Sequence, residues 1–246
     1  MILKRLSYVL FVLILGSFAS CGSSNGTTLA KGAVALSSAS TFGIMATSAI
    51  TDTGASTIKG DVSLEPGSSC DLLPAQVTGT IHKNDSVSAQ ARADLLVAYN
   101  FATDLAPGTA ISDGQDLGAL DLGFGLGVLH SGTYTSGSTM LVATPLTLDA
   151  QGNADAVWVF QIGSSLTTTT PTGTIVLKNG AQSKNVFWVP VEDAVIGSYT
   201  TFYGTIISGR DVTCATGATI DGRLLAGATT DGTIALDACT INVPTP

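Results

Sequence analysis

The sequence predicts a β-helix, a solenoid of short parallel strands, with one long α-helix beside it. The first observation is an internal repeat, because residues 201–209 (TFYGTIISG) align with residues 219–227 (TIDGRLLAG) at a shift of about one coil. Such self-similarity is typical of solenoids, in which each repeat buries its apolar face only against its neighbours. The second observation is the frequent Gly, Asp and Thr punctuation around the repeat, which favours short strands with tight corners over helices.

The composition indicates an unusually uncharged surface. Of the 246 residues, 45% are hydrophobic and only 11% are charged, against about 25% charged residues in an average soluble domain. Ser and Thr together number 57, roughly twice the 28 charged residues, so hydroxyl groups and small side chains must cover much of the surface. The net charge is −8 and no cluster of Lys or Arg follows the amino terminus, which argues against nucleic-acid binding.

The amino terminus has the pattern of a bacterial export signal. Residues 1–20 combine Lys4 and Arg5 with a short apolar run, and Phe18-Ala19-Ser20-Cys21 is similar to a lipobox, whose Cys is lipidated. The alternative is ordinary cleavage near Ala19, with Cys21 lost or left in the tail. Residues 21–32 are small and polar, as in a flexible tether. We therefore expect an exported protein that is an outer-membrane or cell-surface lipoprotein, or is freely secreted.

The folded domain is expected to span residues 33–246 and to begin with short strands at 42–46, 50–54 and 57–64. Residues 56–63 (STIKGDVS) parallel residues 218–225 (ATIDGRLL), so the coils near both ends should be built alike. Residues 63–76 contain two prolines and are predicted to form a loop or cap, which a short strand at 77–82 follows.

One helix is predicted at about residues 86–105. Asp85 or Ser86 can cap its first turn, and Pro107-Gly108 ends it. Apolar residues recur at helical spacing to form one stripe, which should pack on a face of the solenoid: Val87, Ala91, Leu95, Ala98, Ala102 and Leu105. Residues 109–124 are predicted to be an acidic, Gly-rich connecting loop, and alternating β-branched and aromatic strands resume at Leu126.

Several of these segments, in this order, resemble the microbial ice-binding proteins known as the DUF3494 family. The segments are FGIMATSAITDTG, IKGDVS, SAQARADLLVAYN, AVWVFQIGSSL, NGAQSKNVFWVPV and TGATIDGRLLA, and the similarity covers about residues 33–241. The resemblance implies a right-handed, discontinuous β-helix of triangular cross-section, with the helix along one face and a different flat face touching ice. It also implies that amino-terminal strands insert beside carboxy-terminal ones. The expected function is adsorption to ice by a monomer, which inhibits ice growth and recrystallisation.

Some members of that family carry a T-A/G-x-T/N motif on the ice-contacting face. Thr216-Gly217-Ala218-Thr219 fits it fully, residues 53–56 (TGAS) end in Ser, and residues 237–240 (DACT) and 198–201 (SYTT) fit less well. By this resemblance, the expected ice-binding residues are Thr53, Ser56, Thr57, Ser198, Thr200, Thr201, Thr216, Thr219, Asp221 and Thr240.

A β-helix face of Thr, Ser, Ala and Gly has properties that suit ice. Strands stack at about 4.8 Å and outward side chains repeat at about 7 Å along each strand, which gives a regular grid. Methyl groups on this grid can order water while hydroxyl groups anchor it. The stiff χ1 angle of Thr lowers the cost of ordering. Thr is also common in the strands of any β protein, so each one alone could be structural.

Enzymatic and metal-binding functions find little support. Glu65 and Glu192 are the only glutamates, and His82 and His130 the only histidines. Carbohydrate-cleaving β-helices need clustered carboxylates. Asp113, Asp116 and Asp121 could form a calcium loop, but a solvated acidic loop is favoured over it. We therefore expect no catalysis, no cofactor and no metal.

The cysteines leave several pairings open. If Cys21 is lipidated, Cys70, Cys214 and Cys239 remain, so at most one intramolecular bridge can form in an oxidising compartment. The favoured bridge joins Cys214 and Cys239 in adjacent coils. The alternatives are a bridge from Cys70 to one of them, or buried thiols.

A different class of function is a cell-surface adhesin or glycan-binding module. Such a protein would need exposed aromatic platforms for sugar stacking. Trp158 and Trp188 lie in strongly apolar strands and are expected to be buried, which leaves Tyr199 and Tyr203 as candidates. A structural envelope protein without a specific ligand is a third possibility.

Overall fold

The computed structural model describes residues 33–169 and 172–245. It confirms the predicted fold class: short parallel strands form a β-helix, and one long helix packs beside it. The predicted signal segment, Cys21 and the tether lie outside the described residues. No described helix is long and apolar enough to cross a membrane.

The elements are short, as the frequent turn residues predict. Before and including the helix they are β1 (Phe42–Ala46), β2 (Ala49–Asp52), β3 (Thr57–Lys59), β4 (Asp61–Leu64), β5 (Ser69–Cys70), β6 (Ile81–Lys83) and α1 (Ser86–Asp104). After it they are β7 (Thr109–Ala110), β8 (Gln115–Asp116), β9 (Val128–His130), β10 (Gly132–Ser136), β11 (Met140–Val142), β12 (Leu146–Asp149), β13 (Trp158–Ile162), β14 (Leu166–Thr168), β15 (Ile175–Lys178), β16 (Val186–Pro190), β17 (Ala194–Ile196), β18 (Thr201–Ile207), β19 (Val212–Cys214), β20 (Thr219–Leu225), β21 (Thr233–Leu236) and β22 (Thr240–Asn242). Short 3₁₀ helices cover Ser37–Thr41, Pro74–Gln76, Leu117–Ala119 and Ser183–Asn185.

The strands of each coil lie on three faces of the solenoid. The helix face contains β7, β10, β13, β16, the second halves of β18 and β20, then β1, β4 and β6. The eight-stranded face has the order β5-β2-β21-β19-β17-β14-β11-β8. The third face contains β9, β12 and β15, then the first halves of β18 and β20 with β22 and β3.

The amino-terminal coil stacks on the carboxy-terminal one, so the solenoid is discontinuous in sequence. β1 lies between β4 and β20, β2 lies between β5 and β21, and β3 pairs with β22. The internal repeat is a true structural repeat, because Thr201 pairs with Thr219 and Ile207 with Leu225 in one unbroken ladder. Both the order of coils and the repeat agree with the sequence-based expectations.

An aromatic stack fills part of the interior. Tyr134, Phe160, Trp188 and Phe202 come from successive coils, and their neighbouring ring centroids are 5.3, 3.9 and 5.4 Å apart. The Tyr134 hydroxyl donates to the carbonyl of His130 at 2.6 Å, and burial raises the pKa of Tyr134 to about 12. The Trp188 indole donates to the carbonyl of Tyr203. The stack therefore ties the coils together with its polar atoms satisfied.

The helix covers its face through small and apolar side chains. Ala91, Leu95 and Ala98 are buried against the helix face, in a cluster that includes Val159 and Phe187. The Asp85 carboxylate accepts from the first free amides and so caps the helix, as predicted. The prediction of the apolar stripe was wrong at one position, because Val87 is 45% exposed whereas Ser88 is buried.

The carboxy-terminal end of the helix is held by one side chain of the solenoid. The Gln161 amide nitrogen lies 3.0 Å from the carbonyl of Ala102 and 2.9 Å from that of Leu105, and its oxygen accepts from Thr135. Terminal helix carbonyls otherwise lack partners, so this buried amide fixes the helix on its face.

Four other sequence-based expectations were wrong. Residues 63–76 are not only a loop or cap, because β5 within them pairs with β2 in the eight-stranded sheet. Residues 109–124 are not merely a connecting loop, because β7 and β8 within them belong to the first coil. The single strand predicted at 57–64 is two strands that separate at Gly60, where φ is +152°. The strand predicted at 77–82 is reduced to a bridge at Val77 and to β6. Runs of two to four residues carry too little periodicity to set such boundaries.

A disulfide joins Cys214 to Cys239 in adjacent coils, and Cys70 is a free, half-buried thiol. The bridge lies directly behind two neighbouring corners, because Cys239 precedes Thr240 and Cys214 ends β19.

We expect Cys239→Ser to lower the free energy of unfolding by about 3.5 kcal/mol, because the bridge closes a loop over a separation of 25 residues. Chemical denaturation of the oxidised protein measures this change. Cys70→Ser is the matched control and should shift the midpoint little. Equal midpoints for the two variants would contradict a stabilising bridge.

Candidate functional site

Two of the three faces remain uncovered by the helix and are candidates for a binding surface. The more regular is the eight-stranded face, whose strands pair one to one from β5 to β8 without a register shift. By contrast, the eleven-stranded sheet, whose strands lie on the helix face and the third face, branches at β20, and its β1–β4 pair contains an irregularity between Phe42 and Ile44. Unbroken register aligns outward side chains into straight columns.

The central column of the eight-stranded face carries no charge over six rungs. In register, it consists of Thr51, Ala235, Thr213, Val195, Thr167 and Leu141. At about 4.8 Å per rung the column is about 24 Å long. Of its three threonines, Thr213 is exposed and Thr51 and Thr167 are half-exposed, so their hydroxyl groups are available to water. At the β8 end the column meets an acidic residue, Asp116, which pairs with Leu141.

The borders of this face are more polar but are internally bonded. Asp193 accepts from the backbone of Asp211 at 3.2 Å and lies 3.5 Å from Arg210. Asp211 in turn accepts from the backbone of Thr233 at 2.7 Å. These carboxylates fix the corner towards the helix face, so their charges are partly engaged by the protein.

The third face carries a ladder of four threonines. Thr57, Thr240, Thr219 and Thr201 are in register on consecutive coils. All four side chains are exposed or half-exposed. This ladder contains four of the ten residues that the family resemblance identified.

A second, polar column runs beside that ladder two residues further along each strand. It consists of Lys59, Asn242, Asp221 and Tyr203. Residues 243–245 lie close to Asp221 and narrow this face on one side. The third face is therefore more charged and less open than the eight-stranded face.

The predicted motifs form the corners between the eight-stranded face and the third face. Two residues before each threonine of the ladder, the backbone is left-handed, with φ of 55° at Ala55, 50° at Ala238, 69° at Gly217 and 58° at Tyr199. The ladder register corrects the motif alignment, because Thr57 and not Ser56 is equivalent to Thr219. The sequence alignment was shifted by one residue, because Thr53-Gly54-Ala55 matches the letters of Thr216-Gly217-Ala218. In the structure, Ala55 and not Gly54 is equivalent to Gly217.

Two of the expected ice-binding residues are buried and hold corners instead. Ser56 is 1% exposed, donates to Asp52 at 2.8 Å and accepts from the backbone of Cys239 at 2.9 Å. Thr200 is also 1% exposed and donates to the carbonyl of Gly197 at 2.7 Å. Neither can touch a ligand, so the expectation was wrong at these positions.

The other expected corner residues are accessible. Thr53 is exposed, and its hydroxyl donates to the carbonyl of Leu236 at 3.3 Å. Thr216 is half-exposed and its hydroxyl bonds to Asp237. Ser198 is also half-exposed. These residues border both uncovered faces, so they do not by themselves decide which face binds.

A carboxylate and an amide clip the 63–76 segment to the first corner. Gln76 donates to Asp52 at 2.6 Å and to the carbonyl of Ser56 at 2.9 Å, and it accepts from the backbone of Leu73. Burial alone would raise the pKa of Asp52, but hydrogen bonds from Gln76, Ser56 and Gly54 together hold that pKa below its ordinary value. The clip rigidifies the corner beside Thr53.

The central column of the eight-stranded face was missed by sequence reasoning. Thr51, Thr167 and Thr213 each stand between two inward residues of a three- or four-residue strand. Each coil therefore contributes only one outward residue to this column, and the column can be recognised only when the coils are aligned in register.

The aspartates and histidines that could bind a metal or take part in catalysis make contacts within the fold instead. Asp116 accepts from the backbone of Gly118 and Ala143, and Asp121 accepts from Gly123. Among the described residues, no group of three or more potential ligands comes together. His82 pairs with Asp85 at 2.8 Å, and His130 stacks on Phe124.

The aromatic side chains offer little platform for sugar stacking. Trp158 and Trp188 are fully buried, as expected, and Tyr203 is half-buried against the core. Tyr199 is the most exposed aromatic residue among those described, at 67%, and its ring lies beside Gly217 at a corner, whereas Phe101 and Phe124 are 46% and 48% exposed.

Comparison with known proteins gives a family match over most of the chain. The family model described as ice-binding-like matches residues 44–242. An ice-binding protein from Nostoc sp. is 42% identical over 193 residues, which cover 78% of this chain and 68% of the relative. An ice-binding protein from Colwellia sp. is 33% identical over 253 residues, covering 96% and 93%.

Solved structures give the same result. A crystal structure of an ice-binding protein from an Antarctic biological consortium superposes with a TM-score of 0.78 at 35% identity, covering 86% of this chain and 91% of the other. That of an ice-binding protein from the ascomycete Antarctomyces psychrotrophicus superposes with a TM-score of 0.78 at 33% identity, covering 87% and 100%.

We expect the Asp52 clip to make stability depend on pH. A carboxyl whose folded-state pKa is lowered contributes stability above its unfolded pKa, and this contribution is lost as the pH falls through the folded value. The melting temperature should therefore fall as the pH drops below about 5, and Asp52→Asn should flatten that dependence. Asp71→Asn, at an exposed carboxyl, is the control. An unchanged slope in Asp52→Asn would contradict the role of the clip.

Proposed function

Because the chain belongs to the ice-binding protein family, we propose that it adsorbs to ice and does so through the eight-stranded face. The observation that carries the choice of face is its uncharged central column, from Thr51 to Leu141, in unbroken register over six rungs. It acts by adsorption as a monomer, without catalysis.

The physical basis is a weak contact repeated many times on a rigid surface. Methyl groups of Thr, Ala and Val order the adjoining water, while free threonine hydroxyls and backbone groups anchor it. The hydrogen bonds between parallel strands hold the backbone rigid, and β-branched side chains have few rotamers. The loss of conformational entropy on binding is therefore small. Adsorbed protein pins the growth front, which must then curve between the pinned points, and the curvature opposes further growth and recrystallisation.

Charge distribution favours this face over the third face. Strongly hydrated charges hold water in arrangements unlike ice, and the column that contains Lys59 and Asp221 lies beside the threonine ladder. The specific observation in favour of the third face is the ladder itself, with Thr57, Thr201 and Thr219 in register. It is the second candidate, and the corner residues Thr53, Thr216 and Ser198 would border the contact in either case.

We expect Thr213→Tyr to reduce thermal hysteresis and recrystallisation inhibition severalfold, because a large ring at the centre of the eight-stranded face would hold it away from ice. Thr219→Tyr places the same ring on the third face and should have a smaller effect. Ice growth in a nanolitre osmometer measures both variants.

Asn100→Tyr, on the exposed side of the helix, is the matched control and should leave activity unchanged. Circular dichroism must show that all three variants are folded. A large loss in Thr219→Tyr with full activity in Thr213→Tyr would move the ice contact to the third face. If the native protein is folded and leaves ice growth unchanged, ice binding is refuted.

We also propose that the protein is exported and anchored to a bacterial membrane through a lipid on Cys21. The support is the lipobox-like segment Phe18-Ala19-Ser20-Cys21 and the polar residues 22–31 that follow it. A tether of this composition would let the domain turn its ice-contacting face freely.

We expect the protein expressed in a Gram-negative host to fractionate with membranes, and Cys21→Ala to release it into the soluble fraction. Intact mass of the mature chain should show a lipid-modified Cys at its amino terminus. An unmodified chain that begins after Ala19 would contradict anchoring and leave simple secretion.

A further inference from the structure

A groove runs along the corner between the helix face and the third face, remote from the eight-stranded face. One part has a volume of about 500 Å³ and is lined by residues that include Phe187, Arg223, Lys184 and Pro244. The adjoining part has a volume of about 380 Å³, includes Asp221, and shares Lys184 and Pro244. The two shared residues place the two parts side by side. Its size is that of a small-molecule site.

Arg223 places a buried positive charge at the wall of this groove. The side chain is 5% exposed, and its guanidinium donates from Nε and Nη2 to the carbonyl of Ser40 at 2.9 and 2.7 Å. Nη1 donates to the hydroxyl of Thr205 at 3.3 Å. A guanidinium has five N–H donors, so two remain after these three bonds.

No carboxylate among the described residues forms an ion pair with Arg223. Burial lowers the pKa of Arg223 to about 10, and only the nearby charge of Asp221 opposes this effect. Asp221 makes no ion pair with Arg223 and compensates the buried charge only in part, and an anion that enters the groove would compensate it further.

Lys184 adds a second cation at the junction of the two parts. Its side chain is half-exposed and has no ion-pair partner among the described residues. The chain has only 10 basic residues and a net charge of −8. Two cations, Arg223 and Lys184, and one carboxylate, Asp221, line the groove, so its net charge is positive in an otherwise acidic protein.

We propose that this groove binds a carboxylate-bearing saccharide, such as a uronic acid unit of an acidic polysaccharide. A carboxylate suits the two remaining N–H donors of Arg223 and the ammonium of Lys184. Ala35 is exposed and Pro244 is half-exposed, so they offer a small apolar surface to a pyranose ring, and half-exposed Asn185 can bond its hydroxyls. Ice adsorption on the eight-stranded face would leave the groove free.

Isothermal titration of the mature chain with digalacturonate at low salt tests the proposal, with maltose as the neutral probe and inorganic phosphate as the bare anion. Digalacturonate should bind at least about tenfold more tightly than maltose, and Lys184→Gln should weaken it by about tenfold, the loss expected for one charge-assisted hydrogen bond. Lys83→Gln, at an exposed lysine outside the groove, is the matched control and should bind normally.

Three results would overturn the proposal. They are no binding of digalacturonate, binding no tighter than that of maltose, and equal affinity for digalacturonate in Lys184→Gln and Lys83→Gln. Phosphate that binds as tightly as digalacturonate and displaces it would show an anion site without saccharide selectivity. Thermal hysteresis of Lys184→Gln should equal that of the native protein, so failure of the groove and failure of ice binding are separate outcomes.

Discussion

The structure depends on the parallel hydrogen-bond ladder that runs through successive coils. Side chains alternate between the interior and the surface with a period of two, so a slip of one residue would turn a strand inside out. The repeat at β18 and β20 satisfies this constraint residue by residue, from Thr201 and Thr219 to Ile207 and Leu225. Inward positions then stack into the core, and outward positions align into columns. The same ladder thus produces both the stability of the fold and the regularity of its surface.

The corners are where the coils can differ, and the protein holds them tightly. Residues with left-handed backbone conformation, such as Ala55 and Gly217, turn the chain at the corners. Buried hydroxyl groups, such as that of Ser56, accept hydrogen bonds from backbone amides there. The Cys214–Cys239 disulfide joins two coils behind the surface. Hydroxyl groups that look alike in the sequence therefore have two roles. Those at corners, such as Ser56 and Thr200, bond inward and stabilise the fold, whereas that of Thr213, in mid-strand on the eight-stranded face, is left for water. A rigid surface of the second kind is what adsorption to a crystal requires.

A triangular solenoid lets each face serve a separate purpose. The helix covers one face with small residues such as Ala91 and Ala98, and Gln161 fixes its end. The eight-stranded face is uncharged along its centre, which suits ice. The groove lies at a different corner and is lined by the positively charged side chains of Arg223 and Lys184. Because each outward column depends only on its own strand positions, these surfaces can differ without disturbing the shared core.

The sequence by itself determined the class of fold, the coil repeat, the capped helix after Asp85 and the burial of Trp158 and Trp188. Repetition, helical spacing and apolar content are local signals, and they persist whatever the coils pack against. Resemblance to a family supplied the insertion of amino-terminal strands, which no periodicity reveals. Only the tertiary structure decided that residues 109–124 form a coil, that Ser56 and Thr200 are buried, and which threonines share a plane. Strands of two to four residues expose one or two side chains each, so a face exists only after the coils are stacked in register.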